Sequence, residues 1–107
     1  MKKVGKLVRD NIPKIIKDSG RKPIIRNLDD DEYVDAIVEK LHEEIKELQN
    51  ANTASDVLEE IADIAQVITN MMDAIPAVYD KVLEKAKEKG EFNHKIYLEG
   101  IEDEESE

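Results

Sequence analysis

Two short stretches carry residue types that can do chemistry at a regular spacing. Leu41-His42-Glu43-Glu44-Ile45-Lys46-Glu47-Leu48 and Leu58-Glu59-Glu60-Ile61-Ala62-Asp63-Ile64 each set acids three residues apart inside an apolar pattern. Glu44, Glu47, Glu60 and Asp63 are the candidates for one four-carboxylate metal site on two adjacent helices. Take about 100° per residue and aim the first helix by Val34, Leu41 and Ile45. Glu44 then lies roughly 80° and Glu47 roughly 140° to the same side. With the second helix aimed by Val57, Ile64 and Ile68, Glu60 lies roughly 60° and Asp63 roughly 120° off in the same sense. On antiparallel helices such flanks either face each other or both face away, and if they face each other they line one groove. Clustered carboxylates repel and are costly to desolvate unless a cation compensates. Oxygen ligands without Cys favour a hard ion, Mg²⁺ with Mn²⁺ as the alternative. Mg²⁺ commonly shares its carboxylates with substrate phosphates. The competing reading is an ordinary solvated acidic face, with Lys40 and Lys46 as partners for some of the acids.

The elements that must position these acids follow from period and punctuation. Lys6-Leu7-Val8-Arg9-Asp10 has no helical period and reads as an extended arm. Asp10 or Asn11 can cap a short helix with Pro13 in its first turn and Gly20 as its stop. Asp29, Asp30, Asp31 and Glu32 suit the start of a second helix, where acids meet the positive end of its dipole. They lack the alternating spacing and central Gly of a calcium loop. Val34, Ile37, Val38, Leu41, Ile45 and Leu48 recur at three and four, so that helix runs to about Leu48. Thr53 or Ser55 caps a third helix with apolar positions from Val57 to Ile75. The polar connection between the two helices is short, which makes them antiparallel neighbours. Pro76 opens a fourth helix and Gly90 ends it. Ile96-Tyr97-Leu98 reads as extended, and the acidic tail over 100–107 as disordered.

Composition narrows the class. The 107 residues suit one domain, taken as residues 1–99. One Phe, three Tyr and no Trp leave an aliphatic core. A helical chain this short often completes its core by oligomerising, here as a homodimer or homotetramer. The absence of Cys excludes thiolate metal sites, disulfides and thiol catalysis, and fits a cytoplasmic setting. No apolar run reaches the roughly 20 residues needed to span a bilayer, and no apolar stretch follows the basic N-terminus, so neither a membrane span nor a signal peptide is expected. A net charge of −10 argues against nonspecific binding to nucleic acid or anionic membrane. The charge is uneven. Residues 1–26 hold nine of the sixteen Lys and Arg against two acids, a local +7 that leaves −17 for the rest. That basic arm is either a solvated surface or a partner for polyphosphate beside the acidic site.

Glu43-Glu44-x-x-Glu47 followed by Glu60-x-x-Asp63 resembles the EExxE…ExxD signature of the MazG-like all-α nucleoside triphosphate pyrophosphohydrolases. Lys6-Leu7-Val8-Arg9-Asp10-Asn11-Ile12-Pro13 is similar to the opening of a subfamily related to phosphoribosyl-ATP pyrophosphohydrolase. Lys89-Gly90-Glu91-Phe92 with Lys95 resembles that subfamily's closing segment, except that Glu91 stands where a small residue is expected. The resemblance spans roughly residues 4–99. It implies an all-α, MazG-like antiparallel helical bundle completed by oligomerisation. It implies that Glu44, Glu47, Glu60 and Asp63 bind Mg²⁺, with Glu43 as a base or supporting residue. It also implies cleavage of a nucleoside triphosphate to monophosphate and pyrophosphate, in the house-cleaning of non-canonical nucleotides. Lys6 and Arg9 from the arm, and Lys95 from the closing segment, are the candidate phosphate-binding bases. By helical geometry alone Glu43 points nearly opposite the core, which suits a solvent-exposed role as well.

Three other readings compete. One is a phosphoribosyl-ATP pyrophosphohydrolase of histidine biosynthesis. Another is a noncatalytic helical dimerisation module, which would gain nothing from clustered carboxylates. The third is a di-iron site built on Glu39-x-x-His42 and Glu91-x-x-His94. It fails on geometry, because Glu39 lies roughly 140° from its helix's core direction and Glu91 follows the helix-ending Gly90.

Overall fold

The computed structural model describes residues 1–103 and is helical, with four α-helices and no strand among those residues. The chain divides into two compact units, Met1–Ala74 and the residues from Ile75 onward, so the domain predicted over residues 1–99 spans both. Residues 100–103 of the expected acidic tail carry no regular structure, and 104–107 lie outside the described residues.

In the first unit an extended arm leads into α1 (Ile12–Asp18), which has Pro13 in its first turn. Gly20 ends this turn of chain with φ 87°, a left-handed conformation that glycine adopts without steric cost. Helix α2 (Asp30–Gln49) starts on a capping box. The Asp29 carboxylate accepts from the Glu32 backbone N–H at 2.8 Å, and the Glu32 carboxylate accepts from the Asp29 N–H at 3.4 Å. The same Glu32 is held by both Arg26 amino groups, at 3.1 and 2.7 Å. That fork, followed by the Asp29 N–H, pulls the Glu32 carboxyl down to about 2 from an ordinary 4.5. The acidic run therefore works as a helix start. After a four-residue link, α3 (Ala54–Ala74) begins on Thr53, whose hydroxyl accepts from the Asp56 N–H at 3.0 Å. So short a link makes α2 and α3 an antiparallel pair, and they pack on one another.

The seam of this pair is turned in part from where the apolar pattern aims it: Leu41, Val57 and Ile64 lie on the half-buried side as expected, and the other aiming residues do not. Val34 and Ile45, two of the residues expected to set the inward direction of α2, are 49% and 38% exposed. The inward line of α2 is instead Ile37 and Glu44, both buried, with Lys40, Leu41 and Leu48 half-buried. On α3 the half-buried residues are Val57, Glu60, Asp63, Ile64, Val67, Met71 and Met72. The helices have rolled so that the acidic flank enters the seam and an apolar stripe faces outward. The stripe comprises Val34, Val38 and Ile45 on α2, with Leu58, Ile61 and Ile68 on α3.

In the second unit Pro76, with φ −55°, stands at the N-cap position of α4 (Ala77–Lys89) without a side-chain capping bond, and Gly90, with φ 81°, ends the helix. The segment beyond α4 exposes Phe92, Ile96, Tyr97 and Leu98.

Candidate metal centre

The carboxylates meet in the part of the α2–α3 seam nearer the link, on the last turns of α2 and the first half of α3. Glu43, Glu44 and Glu47 each present an oxygen within 4.8 Å of the others, and so do Glu44, Glu60 and Asp63. Glu44 belongs to both groups and joins the two helices' acids. The four residues expected to form the site are thus brought together. Glu43, expected nearly opposite the core, joins them at the rim. It is half-buried because the N-terminal arm covers that side of α2.

Glu44 lies deepest, at 5% exposure. Its Oε1 takes the Lys40 ammonium at 3.4 Å, and its Oε2 is buried with no hydrogen-bond partner. Glu60 Oε2 is buried and unpartnered as well. Burial, then the facing Glu47 and Glu44 carboxyls, push the Glu60 carboxyl up to about 7. Orphaned buried oxygens are costly, and a pair of them in one cluster needs an explanation.

Three bases face the cluster. Lys40, one turn ahead of Glu43 and Glu44, lies 3.6 Å from Glu43 Oε2 as well as 3.4 Å from Glu44. Lys6 donates to Glu43 Oε1 at 3.3 Å. Arg9 Nη2 donates to Asp63 Oδ1 at 2.6 Å. The arm therefore ties to α2 through Lys6 and to α3 through Arg9. A pocket of about 280 Å³ opens between arm and helix, lined by Gly5, Lys6, Leu7, Glu39, Lys40 and Glu43 among others. Lys40 is the member that the sequence reading treated only as a possible ion partner. Its spacing of three and four from Glu43 and Glu44 was the available signal.

With all five carboxyls ionised, three bases leave a formal charge of −2 in the cluster, and a proton on Glu60 is what relieves it in the absence of a cation. An all-oxygen donor set with that deficit and two unsatisfied buried oxygens fits a hard divalent cation. Glu44, Glu47, Glu60 and Asp63 are the residues that would hold it. His42 and His94 are both exposed, and neither joins a cluster of ligating groups among the described residues, so the di-iron reading has no centre. Lys95 belongs to the second unit. It has φ 58° and lines a small pocket with Glu91, Phe92, His94 and Ile96.

No family model matches the chain, and no solved structure matches it. A 56-residue stretch, 52% of the chain, is 52% identical to an uncharacterized protein of Mycolicibacterium smegmatis. The match spans 57% of that relative's length, and its description names no activity. No helix among the described residues is long and apolar enough to cross a membrane.

Proposed function

We propose that the chain is a Mg²⁺-dependent nucleoside triphosphate pyrophosphohydrolase of the MazG-like kind. It cleaves the α–β phosphoanhydride to a monophosphate and pyrophosphate and clears non-canonical nucleotides from the cytoplasm. One observation carries the reading. Two buried, unpartnered carboxylate oxygens, Glu44 Oε2 and Glu60 Oε2, lie in an all-carboxylate cluster under a basic arm. A dimerisation module has no use for that arrangement, whereas a divalent cation that carries phosphates resolves it.

Glu44, Glu47, Glu60 and Asp63 are the metal ligands, and Mn²⁺ is an acceptable substitute. When bound, the ion supplies charge neutralisation along the phosphate chain and acidifies water. Lys40 pairs with Glu44 Oε1 at 3.4 Å, which leaves Oε2 as the buried oxygen without a partner. Lys6 and Arg9 offer the ammonium and guanidinium for the phosphates, and Lys95 is the candidate from the second unit. Glu43 is the candidate base. Both its oxygens face ammonium groups, and transfer of Lys6 to phosphate frees Oε1 to take a proton from water. Water's oxygen joins one phosphorus, and the bridging oxygen leaves with the electron pair of the broken bond.

The outward stripe of Val34, Val38, Ile45, Leu58, Ile61 and Ile68 supports assembly as a homodimer or homotetramer. Ile37, at 5% exposure, is the only buried apolar residue among those described, too small a core for a helical hairpin to stand alone.

The test is a panel of canonical and damaged nucleoside triphosphates with Mg²⁺, scored for pyrophosphate against phosphate release. Stoichiometric monophosphate and pyrophosphate are expected. Release of inorganic phosphate, or no turnover of any triphosphate, defeats the reading.

A further inference from the structure

We propose that Arg9 couples the two ligands of this site, so that a divalent cation and a polyphosphate bind better together than either does alone. The inference rests on the metal-centre reading above and assigns Arg9 a role that reverses sign between the two ligands.

The geometry sets up a competition. Arg9 donates to Asp63 Oδ1 at 2.6 Å, and Asp63 is also one of the oxygens grouped with Glu44 and Glu60. A guanidinium and a divalent cation on one carboxylate repel each other. Arg9 is therefore an occupant that a lone metal ion must partly displace.

Arg9 is also the base best able to move. Its side chain is 55% exposed and sits on an arm with no regular secondary structure before α1. Lys40 is the contrast. At 19% exposure, between two carboxylates of its own helix, it stays as a fixed counter-charge. A guanidinium keeps its charge at any working pH, and its planar fork matches phosphate oxygens. Displaced from Asp63, it needs another anion, and phosphoryl oxygens carried to the cluster by the metal lie nearest. Arg9 then changes from a rival of the metal to a ligand of the metal's partner. The ligand must offer anionic oxygens to both metal and arginine, so the class is a polyphosphate with at least two linked phosphoryl groups.

The experiment is a calorimetric titration of the full chain, first with Mg²⁺ alone, then with inorganic pyrophosphate at saturating Mg²⁺. Wild type, Arg9→Gln and Arg9→Lys are compared. Arg9→Gln should bind Mg²⁺ alone about two- to fivefold more tightly, since an exposed ion pair at Asp63 has gone. It should bind pyrophosphate about tenfold or more weakly, since a charge-assisted contact has gone. Arg9→Lys should lie between wild type and Arg9→Gln on both. If Arg9→Gln weakens both ligands, the residue is only a structural tie and the coupling is wrong. If wild type and variant bind Mg²⁺ equally and pyrophosphate equally, the metal centre stands and the coupling alone falls. If neither protein binds Mg²⁺, the metal-centre reading itself falls and takes the coupling with it.

Discussion

Neutralising Glu47 without changing its shape separates a metal centre from an acidic surface. Glu47 shares a 4.8 Å neighbourhood with Glu43 and Glu44 and faces Glu60. Two like charges at such a distance cost about 0.9 kcal/mol at the dielectric of water before salt screening. The metal-free Glu47→Gln protein should therefore melt no lower than wild type, and higher if the repulsion dominates. With Mg²⁺ the order should reverse. At a hundred times its Kd an ion that binds only the folded chain stabilises by about 2.7 kcal/mol. For a unit this small that is a rise of about 10–20 °C in Tm. Loss of one carboxylate ligand that weakens binding about tenfold removes close to half of that rise. Glu59→Gln is the control, since Glu59 is exposed, equally acidic, and outside both carboxylate groups. Its Mg²⁺-induced shift should match wild type. Thermal melts across a Mg²⁺ series, run beside turnover of a triphosphate, read both effects. Identical shifts in Glu47→Gln and Glu59→Gln would refute the four-carboxylate site.

Three further outcomes are expected. Asp29→Ala removes the capping-box acceptor of α2 and should cost about 1 kcal/mol in denaturant unfolding, leaving Mg²⁺ affinity unchanged. The two shifted carboxyls should give pH effects of opposite sign in the metal-free protein. Glu60, raised to about 7, keeps a proton that the unfolded chain has lost above 4.5, so its contribution favours folding at low pH and fades between about 4.5 and 7; Glu60→Gln should flatten that slope. Glu32, lowered to about 2, contributes above 4.5 and loses its contribution as pH falls towards 2; Arg26→Gln should remove most of that loss. Finally, Ile61→Lys, on the outward stripe and 52% exposed in the single chain, should shift an assembled protein to monomer in light scattering. An unchanged mass would place the assembly surface elsewhere.

The elements were readable because their signals are local. Asp29 with Glu32, Thr53, Pro13, Pro76 and the glycines at 20 and 90 mark helix starts and stops by hydrogen bonds or φ values that depend on near neighbours. The acidic spacing was readable for the same reason, since residues three apart on a helix share a flank whatever that flank faces. The inward direction was not readable, because an apolar stripe says only that something covers it. In α2 the stripe through Val34 and Ile45 points outward, and the line through Ile37 and Glu44 points to α3. Glu43 is misaimed by the same rotation, so helix geometry alone points it to solvent and only the motif resemblance sets it beside the other acids. Lys40 went unassigned because its value depends on the burial of Glu44, a tertiary fact.

The same rotation links the two halves of the functional reading. A hairpin that turned its apolar stripe inward would bury more hydrocarbon but lift Glu44 and Glu60 out of the seam, where water would satisfy them and a metal would gain little. By turning the acids inward the chain accepts two orphaned oxygens and an uncovered stripe. On the proposed function each deficit has a different partner, a divalent cation for the oxygens and a second copy for the stripe. Metal binding and assembly should therefore stabilise the same roll of α2 on α3. Removing Mg²⁺ should loosen the oligomer, and the monomeric Ile61→Lys chain should bind Mg²⁺ more weakly although Ile61 is no ligand.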